Sequence, residues 1–313
     1  MNRARLHRLA EELGEAGLEI DLGSDWGDIV ITEVDYALRP HVHERRVPSV
    51  GTIIEPTTDP DRWEVGTQLL VTRRPIEAMP LNGSRLFADG QASWLIRSVD
   101  GNDEWAVFDR PAGSERDLVV LAETMGATIV QRHPSGLVRV VGTFGVLRWD
   151  GLTWRREPPL SSWIDAVGAG ATDDRRAVLE TLLEFAVHDL GARGTGAILV
   201  YQTETTAPAA IELRLPTPPP LDIRRPSDLA PLRHALAQVD GAALIDADGI
   251  LRELGVRLVP SPEAETTVEG FRGMRHTSGR RYSFDDRTAT VIVVSEDGPV
   301  TVLRNGQLIG RST

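Results

Sequence analysis

The sequence predicts an α/β chain in which a mainly β N-terminal domain, residues 1–165, precedes a C-terminal domain, residues 172–313, built on a mixed sheet flanked by helices. Three observations carry this. Between Trp26 and Trp154 the short apolar runs DIVITEV, GTIIE, QLLVT, SWLIRSV and EWAVFD recur between Pro, Gly, Asn and Asp clusters. Several alternate apolar and polar residues, the period-two signature of a sheet with one wet face. From Thr172 onward helical stripes and β-branched runs interleave, which is the pattern of an α/β unit. Between the two lies a connector, with Pro158–Pro159 and GAGAT at 168–172.

The elements follow in order. Leu6, Leu9, Ala10 and Leu13 recur at helical spacing and Gly17 is a natural stop, so residues 3–16 read as a helix. DIVITEV reads as the first strand. Leu118, Val119, Leu121, Ala122 and Met125 place one helix at Glu115–Met125. His41 and His43 sit two apart on an expected strand, on one face; with no third ligand in sight they read as a surface or pocket pair. Arg45–Arg46 and Arg73–Arg74 read as solvated turn charges. Residues 136–156 read as paired strands turning at Asp150–Gly151.

In the second domain, Thr172 or Asp173 caps a helix whose stripe is Val178, Leu179, Leu182, Leu183, Phe185 and Ala186. GARGTG then turns into the buried strand AILVY. Residues 203–227 are Thr- and Pro-rich and read as a surface excursion. SDLAPLRHALAQ reads as a short helix capped by Ser227. GAALIDADG and ILRELGVRLVP read as a strand and its return, Thr290–Ser295 as a central strand, and VTVLRNGQLIG as a hairpin turning at Asn305–Gly306.

Composition narrows the function. Net charge is −12 across 313 residues, which argues against broad duplex DNA binding, a task that needs surplus Lys and Arg. There is no Cys, so disulfides, thiolate metal sites and a cysteine nucleophile are excluded. No apolar run approaches the roughly 20 residues that cross a bilayer, and no secretory leader is evident, so the expectation is a cytoplasmic protein without a membrane anchor.

The chemistry concentrates at residues 240–298. Asp240 stands where an irregular segment meets a strand, and an acid there suits a divalent cation; Gly241 and Ala242 let a ligand approach the backbone. In RGMRHTSGRRYS, Gly273 opens a loop rich in hydroxyls and bases. Arg275 can grip phosphate oxygens in a bidentate manner, and His276 can donate to phosphate, ligate a metal or orient a hydroxyl. Ser295, Glu296 and Asp297 form a second acidic cluster.

Four ordered pieces are Asp240-Gly241-Ala242, LIDADGILRELGVRL, Gly273-Met274-Arg275-His276-Thr277 and Val293-Val294-Ser295-Glu296-Asp297. Together they resemble the diadenylate cyclase domain, over about residues 172–310. The family's pattern is a DGA strand, a G-x-R-H-R motif and a strand ending V-S-E-E. The resemblance implies condensation of two ATP into cyclic di-AMP with release of pyrophosphate. It implies Asp240, Arg275 and His276 as catalytic groups. Gly241, Ala242, Gly273, Thr277, Ser278 and Ser295 would contact nucleotide, and Asp240 and Glu296 would hold Mg²⁺ or Mn²⁺. It also implies a face-to-face homodimer, because each protomer supplies one ATP.

One position departs from the family. Thr277 stands where the third basic residue belongs, with Arg280 or Arg281 as substitutes a few residues on. The alternative reading is therefore a cyclase-like nucleotide sensor with weak or no turnover. Neither the membrane-anchored form of the family nor the form with a C-terminal helical DNA-binding region is expected.

Overall fold

A computed structural model of the chain describes residues 3–40, 42, 47–76, 79–157, 160–203, 211–213, 215–271, 273–296 and 299–312. The chain divides into two compact units, Met1–Pro159 and Leu160–Thr313. The histidine pair His41 and His43, the Arg45–Arg46 pair and Asp297 lie outside the described residues. Among those described, no helix is long and apolar enough to cross a membrane.

The first unit begins with helices α1 (Arg3–Glu15) and α2 (Asp25–Leu38). It continues through β1 (Val50–Ile54), α3 (Trp63–Thr67), β2 (Val71–Pro75), α4 (Leu81–Ser84), β3 (Ser93–Arg97) and β4 (Glu104–Phe108). It ends with α5 (Glu115–Met125), β5 (Thr128–Arg132), β6 (Val138–Gly142), β7 (Gly145–Trp149) and β8 (Trp154–Glu157). The strands form one sheet in the order β2-β4-β3-β1-β5-β6-β7-β8. Among the described residues, β1 and β3 are the one pair of strands in this sheet that runs parallel. Successive residues along the central strands point to opposite faces, as the pleat requires. Ile53, Ile129, Val141 and Val146 pack with α5, while Ile54, Val130, Val140 and Leu147 pack with α1 and α2. Both faces of the centre are thus dry, not one.

DIVITEV is a correction. Its β-branched residues suggest a strand, but they lie inside helix α2. The Ser24 side chain accepts from the Gly27 N–H at 3.0 Å, and Asp25 and Asp28 occupy the first turn. Val30, Ile31, Val34 and Ala37 then form one buried stripe. Capping and burial outweigh the few tenths of a kcal/mol of intrinsic preference that β-branching costs a helix. Glu33, on the same helix, is buried and accepts from Arg85 at 2.7 Å and Arg97 at 2.6 Å, which ties α2 to the sheet.

The second unit comprises α6 (Ser161–Val167), α7 (Asp173–Glu184), β9 (Ala197–Tyr201), β10 (Ile211–Glu212), α8 (Pro226–Leu236), β11 (Ala242–Ile245) and β12 (Leu251–Leu258). α9 (Pro262–Thr267), α10 (Met274–Asp285), β13 (Thr290–Val294), β14 (Val300–Arg304) and β15 (Gln307–Arg311) complete it. α7 continues as one π-helical segment, Phe185–Leu190. α8 starts with Pro226 in its first turn and has no side-chain cap, so Ser227 is not the cap. The strand order is β10-β12-β11-β9-β13-β14-β15. β11 runs parallel to β9, and β13 runs antiparallel to it. One face packs on α6, α7 and α8; the other packs on α10, whose Gly279 faces Val291, Val293 and Leu303 so closely that an added Cβ would lie 3.0 Å from Val293.

Candidate functional site

Strand directions assemble the site. Ala197 pairs with Val294, and Ile198 pairs with Ala242, so the starts of β9 and β11 and the end of β13 share one end of the sheet. Three turns therefore meet there: Gly194–Gly196, Asp240–Gly241 and Ser295–Glu296. Helix α10 begins at the same place. The stretch read as a phosphate-binding loop, RHTSGRRYS, is this helix, and Arg275 and His276 lie in its first turn. Gly273 precedes it with φ of 113°, and no side chain caps the helix N-terminus. Its first N–H groups and the positive end of the helix dipole are suited to an anion.

Gly241, at φ 112°, cannot be replaced without strain: a Cβ there would lie 2.6 Å from the Gly255 carbonyl carbon. The close approach of β11 and β12 fixes Asp240 at the rim. Arg275 Nη1 donates to Glu296 Oε1 at 2.8 Å, and its Nη2 lies 3.8 Å from Asp240 Oδ1. The Asp240 side chain is 96% exposed at the cleft rim, with Arg275 beside it. His276 Nε2 is 3.2 Å from Thr301 Oγ1, and its ring meets the edge of Phe271 at 6.0 Å. Burial, then the charges of Arg311 and Arg275, hold this imidazole below its ordinary range, so it is neutral at neutral pH.

These groups open on a cleft of about 840 Å³. Gly241, Gly273, His276, Ser278 and Ser295 line it beside the Asp240–Arg275–Glu296 trio. Its apolar wall, which includes Ile198, Val256, Leu258 and Met274, was not identified from sequence. The alternation of β12 is the signal that could have found Val256 and Leu258. A cleft of this size with one apolar wall and a few convergent polar groups has the form of a small-molecule site.

Two expected contacts are not brought to the cleft. Ala242 is fully buried in the same apolar cluster as its sheet partners Ile198 and Val256, and its short side chain does not reach the cleft surface. The Thr277 hydroxyl bonds the carbonyls of Phe271 and Gly273 and accepts from the Phe271 N–H, all at 3.1 Å. Arg280 and Arg281 are also committed elsewhere. Arg280 donates to the Gly306 and Glu269 carbonyls and lies over the Phe271 ring, while Arg281 donates to the Val268 and Glu265 carbonyls.

Residues 184–308 match the family model described as "DisA bacterial checkpoint controller nucleotide-binding", DAC. The C-terminal segment belongs to the DAC family. Residues 7–158 match a second model, described as "Probable sensor domain DACNK". No curated protein matches the chain. Among solved structures, the hypothetical membrane spanning protein from Bacillus cereus is similar at 22% identity, covering 49% of this chain and 71% of that one, with a TM-score of 0.38.

A divalent cation fits the DAC domain in a limited way. Among the described residues no group of three or more His, Cys, Asp or Glu could hold a metal ion. Asp240 and Glu296 supply two exposed carboxylates on one rim. Mg²⁺ is commonly held by one or two carboxylates together with substrate phosphates, and the pair suits that mode.

Proposed function

We propose that the DAC domain binds ATP in the 840 Å³ cleft and, with two such domains face to face, condenses two ATP into cyclic di-AMP. The observation that carries this reading is the convergence of an uncapped helix N-terminus, Arg275, His276 and two rim carboxylates on one cleft. The 3′ oxygen of each ATP attacks the α-phosphorus of the other. A new P–O bond forms, the bond to pyrophosphate breaks, and the hydroxyl proton passes to the Asp240 carboxylate and from there to solvent. Arg275 and the N–H groups at the start of α10 bind phosphate oxygens; neutral His276 donates to phosphate or orients the hydroxyl. Ser278 and Ser295 hydrogen-bond phosphate oxygens, and Gly241 and Gly273 admit the nucleotide close to the backbone. Asp240 activates the attacking hydroxyl. Mg²⁺ or Mn²⁺, held by Asp240 and Glu296, would supply charge neutralisation and polarise that hydroxyl. The N-terminal unit serves as the sensor that regulates the site.

A second reading is a nucleotide-binding sensor with weak turnover, and one observation favours it. Thr277, in place of the family's third basic residue, has its hydroxyl committed to the backbone, and neither Arg280 nor Arg281 makes up the charge. A missing charged contact is worth roughly 1.5–3 kcal/mol where nothing replaces it, enough to slow a step tenfold to a hundredfold. Incubation of the purified chain with ATP and Mg²⁺ or Mn²⁺, with mass spectrometry for cyclic di-AMP, tests both. Product supports the first reading. Nucleotide binding without product supports the second, and neither binding nor product defeats both.

A further inference from the structure

The GARGTG segment reads from sequence only as a turn between helix and strand, and the mechanism above assigns it nothing. In the structure it is the wall behind the Arg275–Glu296 pair. Gly194 has φ of 65°, and a Cβ there would lie 2.8 Å from the Glu296 carbonyl oxygen. At Gly196 an added Cβ would lie 2.4 Å from Arg275 Nη1 and 2.8 Å from Glu296 Cγ. The backbone thus approaches both partners of the ion pair more closely than any side chain would permit. The pair in turn separates the large cleft from a smaller hollow of about 360 Å³, lined by Thr195 and Gln238 among others; both hollows share Asp240, Arg275 and Glu296.

We propose that Glu296 is an internal competitor for the phosphate seat on Arg275, held in place by the Gly194–Thr195–Gly196 turn. Nucleotide capture is then efficient only when a divalent cation satisfies the displaced carboxylate. This rests on the nucleotide reading of the cleft. Glu296 accepts from Arg275 at 2.8 Å, the geometry a phosphate oxygen would need, while Asp240 stands on the other terminal nitrogen at 3.8 Å. One cation between two carboxylates offers an incoming anion a contested donor and two like charges. The Glu296 side chain is 69% exposed, so it can leave Arg275 for solvent or a cation without a large cost. Glu296 therefore favours metal-loaded polyphosphates over bare anions, which makes it a specificity-determining residue as well as a candidate ligand.

The test is calorimetric titration of the full chain with 3′-deoxy-ATP, which lacks the attacking hydroxyl and cannot condense. Wild type and Glu296→Gln are compared in EDTA and in Mg²⁺. In EDTA the variant is expected to bind about five- to tenfold more tightly than wild type, the range of an exposed ion pair plus relief of like-charge repulsion. Adding Mg²⁺ is expected to strengthen wild type far more than the variant. If wild type binds in Mg²⁺ but the variant binds no more tightly than wild type in EDTA, the competitor role is overturned and the nucleotide reading stands. If neither protein binds in either condition, both are overturned.

Discussion

Arg275 is held between two carboxylates, and its neighbour His276 is held neutral, so adjacent residues bring different chemistry to one cleft. Asp240→Asn is expected to abolish cyclic di-AMP formation while leaving unfolding free energy within about 0.5 kcal/mol, because the side chain is almost wholly exposed and makes no core contact. Product by mass spectrometry and a denaturant titration check the two halves. His276 carries a pH signature. Its folded pKa lies below the ordinary value of about 6.5, so as pH falls the unfolded chain takes up this proton first. The folded state therefore loses stability as pH drops through about 6.5 toward the folded value. His276→Asn cannot charge, so its stability relative to wild type is expected to rise between about pH 7.5 and pH 5.5, read from denaturation curves. Asp240, Gly241, Gly273, Arg275, His276, Ser278, Ser295 and Glu296 were all legible as one candidate group, because their residue types suit phosphate and metal and their order matches a known pattern. Ala242 and Thr277 are the two of the expected group that do not line the cleft. The depth of a short side chain in the sheet and the backbone partners of a hydroxyl depend on packing, which a motif does not encode.

At the scale of elements, α10 is the decisive correction. A glycine, a run of hydroxyls and several arginines read as a loop, yet twelve residues form a helix that aims its N-terminus at the cleft. Thr277 helps to hold that helix to the preceding segment through Phe271 and Gly273. Thr277→Val is expected to cost about 1 kcal/mol in denaturation and to weaken nucleotide binding, because one half-buried hydroxyl network is lost. Thr277→Ser, which keeps the hydroxyl, is expected to recover most of both. Helix α5 shows the opposite case, a helix plain in the sequence. Its Ser114–Asp117 capping box and its αL Gly126 mark both ends, and Leu118 and Leu121 mark the buried face. Leu118→Ala is expected to destabilise the first unit by about 2–5 kcal/mol, measured by thermal or chemical unfolding. The two hairpins with similar sequences also differ in the structure. Arg304 pairs with Gln307 around a two-residue turn, with Asn305 and Gly306 both at positive φ, whereas Trp149 pairs with Trp154 around four residues. The likeness of VLRWDGLT and VLRNGQLI reflects turn chemistry and not a repeated unit.

At the scale of the whole molecule, each unit has its own cores. Two apolar clusters draw only on residues 6–154 and two only on residues 160–303. A fragment spanning residues 160–313 is therefore expected to unfold in one cooperative transition and to keep its nucleotide affinity, checked by calorimetry on fragment and full chain. Loss of folding in the isolated fragment would contradict this independence. The sequence by itself pointed to a mainly β first domain and an α/β second one, to where most of the strands lie, and to which acids, bases and glycines could form a phosphate site. Those features depend on local periodicity, on turn residues and on the chemistry of single side chains. Only the tertiary structure decided that DIVITEV is helical, that the RHTS stretch starts a helix, and that Gly194 and Gly196 back the Arg275–Glu296 pair. In each case residues far apart in the chain settle the outcome. A buried face overrides a strand preference, and the antiparallel run of β13 beside β9 carries Glu296 across about a hundred residues to the glycine turn that holds it.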